Sequence, residues 1–114
     1  MAENKLADLS TEFAVKILKT TDEIKGHHSL ANQLERSGTS IGANIREAQY
    51  AHGKPDFISK LQIALKEANE TGYWLELLYK TEYIDEQTYK SLDSDCTSIR
   101  VMLISSINTS KGSK

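Results

Sequence analysis

The sequence predicts an all-α protein, an antiparallel up-down four-helix bundle. Apolar residues recur three and four positions apart in four successive segments, short breaks separate these segments, and no segment shows the two-residue alternation of a strand. The 114 residues, 39% of them hydrophobic, suffice for one core and are too few for two. We therefore expect one bundle domain over residues 1–107 and a flexible C-terminal tail over the Ser-, Lys- and Gly-rich residues 108–114.

The first two helices should be separated by a polar break at residues 25–29. A basic residue followed by Gly26 predicts the end of the first helix, and the second is expected to run from about Leu30 to His52, with Gly53 as its C-terminal cap. Each helix carries one apolar stripe that should be buried. The stripes are Leu6, Leu9, Phe13, Ile17 and Ile24, then Leu30, Leu34, Gly38, Ile41, Ile45 and Ala48.

The third and fourth helices have clearer start signals. Pro55 suits the first turn of the third helix, which should reach about Tyr83, and Asp85 is expected to cap the N-terminus of the fourth. A single cysteine, Cys96, excludes an intramolecular disulfide and is expected to be a buried packing residue. The buried stripes are Phe57, Leu61, Ala64, Ala68, Leu75 and Leu78, then Tyr89, Leu92, Cys96, Ile99, Leu103 and Ile107.

Two features exceed what a monomeric bundle needs. In residues 73–79 large apolar side chains, led by Tyr73 and Trp74, point in nearly every direction, which is typical of a helix covered on all sides. In the second helix, Gly38 and Gly42 each cost about 1 kcal/mol relative to Ala, so another backbone should approach closely there. Both features predict contacts between subunits. The alternative for the aromatic pair is that it shields the core of its own chain.

A polar stripe lies beside the glycines. Ser37, Ser40, Asn44 and Glu47 recur at helical spacing, flanked by Arg36 and Arg46. On the third helix Lys60, Glu67, Glu70 and Trp74 follow a similar line, with Lys66 beside it. These lines predict ion pairs and hydrogen bonds between helices or subunits, and the alternative is a solvated face. The residues expected at an oligomer interface or partner-binding surface are Arg36, Ser37, Gly38, Ser40, Gly42, Asn44, Glu47, Glu67, Glu70, Tyr73 and Trp74.

Chemistry and nucleic-acid binding have less support. The formal charge is −2 and no segment is basic, so phosphate binding would require a ring to gather Arg36, Arg46, Lys60 and Lys66 from several subunits. No Glu-x-x-His motif is present, which leaves Glu47, Glu67 and Glu70 as a less favoured carboxylate metal site. We expect no catalytic residue, no metal and no cofactor.

The N-terminus lacks an apolar signal segment, so a cytoplasmic protein without a membrane partner is expected.

Three runs resemble the bacterial 23S ribosomal-RNA intervening-sequence protein family: residues 34–48, residues 56–71 and Tyr73-Trp74-Leu75. The resemblance implies an up-down bundle that assembles into a ring-shaped homo-oligomer, a homopentamer, whose role is generally unsettled. Related accessory proteins of diversity-generating retroelements engage a reverse transcriptase and nucleic acid through a strongly basic surface, which this chain lacks. The sequence thus predicts a non-enzymatic scaffold that binds itself and a protein or RNA partner. The alternative is an RNA- or DNA-binding protein accessory to a reverse transcriptase.

Overall fold

The computed structural model describes the backbone of residues 2–112 and the side chains of residues 5–112. It contains four helices, α1 (Ala2–Glu23), α2 (His28–Gln49), α3 (Lys54–Lys80) and α4 (Glu86–Gly112), and no strand within residues 2–112. Each helix packs on two neighbours, in the order α1, α2, α3, α4 and back to α1. The result is a rod with extents of 49 × 20 × 19 Å. The predicted four-helix bundle is confirmed.

The predicted apolar stripes form the core because each helix turns its three-and-four spacing towards the bundle axis. Phe13 from α1, Ile41 from α2, Leu75 from α3 and Leu103 from α4 are all buried. A few stripe members are only partly buried and pack on the edge of the core, namely Leu9, Leu30, Phe57 and Tyr89. Cys96 is buried, as the sequence predicts.

Two loops pack together at one end of the rod. Between α1 and α2, Gly26 and His27 adopt successive positive φ values of 88° and 38°. This left-handed turn favours glycine, and it places the His27 ring edge-on against the Tyr83 ring of the α3–α4 loop, with centroids 4.9 Å apart. The contact holds the two loops beside each other.

Asp85 caps α4, as predicted. Its Oδ1 accepts a hydrogen bond of 2.8 Å from the backbone N–H of Thr88, the third residue of the helix. The N–H stabilises the charged carboxylate, which lowers the pKa of Asp85 below its ordinary value.

Three predicted boundaries differ from the structure. Helix α3 ends at Lys80 and not near Tyr83. Helix α2 ends at Gln49 with Tyr50 as its C-cap, so Gly53 does not cap α2 and instead precedes α3, with Pro55 in the first turn as predicted. Helix α4 continues to Gly112 through residues expected to belong to a flexible tail. Residues 108–111 include neither Gly nor Pro, and the buried Ile107 still anchors this part of the helix to the core. Residues 113 and 114 lie outside the described part of the chain.

Candidate interaction surface

The two polar stripes predicted from the sequence lie side by side on one face of the rod. Because α2 and α3 are neighbours and Ser37 meets Thr71, the side chains near these positions face each other across the groove. We call this surface the α2–α3 face. Its members are Arg36, Ser40, Asn44 and Glu47 of α2, with Lys60, Ile63, Glu67, Glu70, Tyr73 and Trp74 of α3.

Arg36 joins the two helices at the centre of the α2–α3 face. Its Nη2 donates to Glu70 Oε1 at 3.2 Å, and its Nη1 lies 3.6 Å from Glu67 Oε1. The three-residue spacing of the carboxylates places both on the same side of α3, within reach of one guanidinium. Among the described residues Glu67 Oε1 is buried without a hydrogen-bond partner, so Arg36 is the cation that compensates its charge. The predicted ion pairs between helices are therefore present.

The smaller polar residues of α2 form hydrogen bonds rather than ion pairs. Ser40 Oγ donates to the carbonyl of Arg36 at 2.6 Å, and Asn44 Nδ2 donates to the carbonyl of Ser40 at 2.9 Å. Both bonds stay within α2. Ser37, by contrast, is fully buried and bonds Thr71 across the helix pair. Of the predicted serine and asparagine contacts, the structure shows one between helices, that of Ser37.

Tyr73 and Trp74 have separate environments despite being adjacent. Tyr73 is 54% exposed, and its ring centroid lies 5.1 Å from that of Trp74. Trp74 packs against the edge of the core, and within the described residues its buried indole N–H has no acceptor. Trp74 therefore shields the core of its own chain, which is the alternative raised from the sequence, while the Tyr73 ring is exposed.

The two glycines of α2 are explained by α1 of the same chain. A Cβ on Gly38 would lie 3.0 Å from Ile17 Cγ1, and one on Gly42 would lie 3.3 Å from Ser10 Oγ. The close approach predicted for Gly38 and Gly42 thus exists, but it is made within the bundle and requires no second subunit. Ser37 and Gly38 are buried and offer no surface to another copy. The prediction that Ser37 and Gly38 contact another subunit is therefore corrected.

The basic residues considered for nucleic-acid binding are brought together only in part within one chain. Arg36 is engaged by two carboxylates. Arg46 follows Gly42 by four residues and so lies on the α1 side of α2, whereas Lys60 precedes Glu67 by seven residues and belongs to the α2–α3 face. Lys66 is exposed about 100° around α3 from Glu67. Arg36 and Lys60 thus share the α2–α3 face, Lys66 lies on the same side of α3 as Tyr73 seven residues later, and Arg46 lies apart from them.

The described residues also contain no group of three His, Cys, Asp or Glu side chains arranged to hold a metal ion. The candidate set of Glu47, Glu67 and Glu70 therefore does not form a three-ligand site. Cys96 Sγ donates to the carbonyl of Ala68 at 3.3 Å, and burial raises the pKa of the thiol to about 11. A thiol in this state is a packing group, because the thiolate is the nucleophilic form.

The comparisons with known proteins decide the family. The family model described as 23S rRNA-intervening sequence protein matches residues 2–105. This chain belongs to that family. A solved structure from Bacteroides thetaiotaomicron, described as a protein of unknown function from the S23 ribosomal protein family, is 51% identical with a TM-score of 0.90. The match covers 95% of this chain and 99% of that one. No curated protein matches the chain.

This family member also exposes apolar residues that were not predicted to be exposed. Val15 and Leu18 on α1, and Val101 and Ile104 on α4, are large and exposed. A sequence signal was available for α4, where Arg100 is the one charged residue between Cys96 and Ser110. No helix within residues 2–112 combines the length and apolarity needed to cross a membrane.

Proposed function

We propose that this protein acts without catalysis, as a homo-oligomeric scaffold whose α2–α3 face binds a partner protein. The observation that supports the proposal is the exposed Tyr73 ring resting on Trp74 beside the Arg36–Glu67–Glu70 cluster. Exposed aromatic side chains and arginine are enriched at protein interfaces and dominate their binding energy. A rigid helix pair presents them without the entropy loss of ordering a loop.

Self-association is supported by the apolar surface that one copy leaves uncovered. Large hydrophobic side chains are exposed on α1, α3 and α4 of a chain of only 12.8 kDa. Small bundles bury a limited fraction of their surface, and association removes further apolar area from water. The family resemblance implies a ring of five subunits, and we adopt that number for the assembly.

A protein partner is favoured over RNA by the charges of the α2–α3 face. Three carboxylates, Glu47, Glu67 and Glu70, accompany two cations, Arg36 and Lys60, and Lys66 lies at the edge of the face two turns before Tyr73. Arg36 is already neutralised by Glu67 and Glu70. Binding to a phosphate backbone requires an excess of free cations, which this face lacks.

The first test is the mass of the full chain at micromolar concentration, measured by light scattering after size exclusion. We expect five times the 12.8 kDa of one chain, which is about 64 kDa. The second test compares proteins captured from source-cell lysate by the wild type, Tyr73→Ala and the control Tyr50→Ala. Tyr50 is 80% exposed and lies at the α2–α3 turn, so it reports general loss of a surface aromatic.

The expected result is a captured protein that Tyr73→Ala loses and Tyr50→Ala retains. A monomeric wild type would contradict the scaffold, and capture that is identical for all three proteins would contradict the α2–α3 face as the binding surface. RNA binding by the wild type at 50 mM salt that weakens steeply by 200 mM would favour the nucleic-acid function instead.

A further inference from the structure

Two apolar pairs lie on different sides of the bundle. Leu18, 44% exposed, borders a cleft of about 550 Å³ that also contains Glu35 and His28 of α2. Val15 precedes Leu18 by about one helical turn, so both residues open on the α1–α2 face. On α4, Asp95 and Ser98 border a cleft shared with α1. Ile104 follows Asp95 by about two and a half turns and lies on the opposite side of the helix, towards α3. Val101, 60% exposed, lies beside it.

These two faces are opposite each other. The helices follow one another around the bundle in chain order, with α4 returning to α1, so the α1–α2 pair and the α3–α4 pair form opposite sides of the rod. A twofold interface uses the same patch on both copies. Two different apolar patches on opposite sides suit head-to-tail contacts, in which each copy uses one patch towards each neighbour.

The patch on α4 has one cation beside it, Arg100, and the cleft beside the patch on α1 contains carboxylates together with basic residues. Arg100 is the one charged residue between Cys96 and Ser110, in a chain with 26% charged residues, and depletion of charge is the compositional mark of an interface core. Its Nη2 donates to Thr97 Oγ1 at 3.2 Å, and in the described part of the chain it forms no ion pair. The α1–α2 cleft contains two carboxylates, Asp22 and Glu35. Lys19 and His28 also line this cleft, and Lys19 borders the neighbouring α1–α4 cleft as well.

We infer that the α3–α4 face of one copy docks on the α1–α2 face of the next, with Val101 and Ile104 against Val15 and Leu18. Arg100 then lies close to the carboxylates of Asp22 and Glu35 on the neighbouring copy. The inference rests on the self-association in the proposed function and specifies the surfaces that make it. It leaves the α2–α3 face of every copy open for the partner.

The test uses two full-length variants that each block one patch, Leu18→Lys and Val101→Lys, with Tyr50→Lys as a matched exposed control. Thermal unfolding followed by circular dichroism establishes that each variant folds. Light scattering then gives the mass of each protein alone at 100 μM and of an equimolar mixture of the two blocked variants. In the mixture, the intact α1–α2 face of Val101→Lys meets the intact α3–α4 face of Leu18→Lys.

We expect Tyr50→Lys to keep the wild-type mass, each blocked variant to be a monomer, and the mixture to stop at a dimer because its two outer faces are both blocked. Wild-type mass in either blocked variant, or a mixture that stays monomeric, would overturn the inference. An oligomeric wild type that neither substitution disrupts would overturn these docking faces while leaving the scaffold proposal intact. A monomeric wild type would overturn self-association in both.

Discussion

The hydroxyl oxygens of Ser37 and Thr71 lie 2.9 Å apart in the interior between α2 and α3, hydrogen bonded and fully buried. Thr71 Oγ1 also lies 2.8 Å from the carbonyl of Glu67, and Ser37 Oγ lies 3.4 Å from that of Leu34. Among apolar neighbours this pair can form its hydrogen bond in only one register of α2 against α3, and sliding one helix along the other would break the bond. That register places Arg36, the residue before Ser37, against the carboxylates of α3.

Replacing Thr71 by Val should destabilise the bundle more than replacing Ser37 by Ala. Thr71→Val leaves the buried Ser37 hydroxyl with the long contact to Leu34, at a cost of about 1–3 kcal/mol of unfolding free energy. Ser37→Ala leaves Thr71 bonded to the Glu67 carbonyl and should cost about 1 kcal/mol or less. Urea unfolding measures both, and the double variant should lose less than the sum of the two. Equal losses in the single variants would contradict this account.

A methyl group added at Gly38 should be destabilising although alanine favours helices. The new Cβ would lie 3.0 Å from Ile17 Cγ1 and 3.1 Å from Ile17 Cγ2, and the β-branched side chain has little rotamer freedom with which to move away. We expect Gly38→Ala to lower the unfolding free energy by about 1–3 kcal/mol in urea unfolding, because overpacking exceeds the propensity gain.

Gly72→Ala is the matched control, since it is also an internal helical glycine. Apart from its own helix backbone and chain neighbours, no heavy atom in the described part of the protein lies within 4 Å of its added Cβ. We expect this variant to be more stable than the wild type by about 0.5–1 kcal/mol. If Gly38→Ala also gains stability, the contact between α1 and α2 is looser than the distances indicate.

The sequence predicted much of the fold because helix periodicity and capping are local properties. The spacing of Phe13, Ile41 and Leu103 places them in the core, and Asp85 caps α4 as its position indicates. The sequence does not identify which helix contacts which, and only the structure shows this. Gly38 indicates that another helix packs closely, but periodicity does not say whether that helix belongs to the same chain.

The site was predictable in part for the same reason. The spacing of Glu67 and Glu70 indicates a shared side, and the structure supplies Arg36 as their partner. Tyr73 and Trp74 are adjacent residues of similar character, but they lie about 100° apart around α3. Trp74 therefore borders the buried stripe of Leu75 and Leu78, whereas Tyr73 faces away from it. The apolar pair on α4 has only two members, one turn apart, whereas the aromatic run was noticed because its large side chains point in nearly every direction.

The buried Cys96 thiol should make stability depend on pH in the alkaline range. Burial raises its pKa from 9.0 to about 11 in the folded protein. Below pH 9 both states hold the proton, whereas between pH 9 and 11 the unfolded chain releases it and the folded protein keeps it, so unfolding becomes more favourable. Over this range we expect the wild type to lose about 2–3 kcal/mol of unfolding free energy relative to Cys96→Ala. A difference that is constant from pH 8 to 11 would contradict the burial of the thiol.

The Arg36 cluster should matter more to stability than the exposed pair of Lys16 and Asp95. Both join neighbouring helices, but the Glu67 side chain is 14% exposed, whereas Lys16 and Asp95 are 52% and 38% exposed. Arg36→Met keeps an apolar stem of similar length and leaves the buried Glu67 Oε1 without its cation. Because a buried charge without compensation is costly, we expect a loss of about 1–3 kcal/mol in urea unfolding.

Lys16→Met is the matched control, since its 2.7 Å bond to Asp95 is shorter than either contact of Arg36. Water replaces the lost partner of an exposed carboxylate, so this variant should lose less than about 1 kcal/mol. Adding Glu67→Gln to Arg36→Met removes the stranded charge and should recover part of the loss, while Glu70→Gln, at a more exposed carboxylate, should recover less. The account would be contradicted by equal losses of unfolding free energy in the two methionine variants, or by no recovery from Glu67→Gln. Either result would show that the distance within an ion pair, rather than its burial, sets its contribution to stability, and that Arg36 is a surface cation like Lys16.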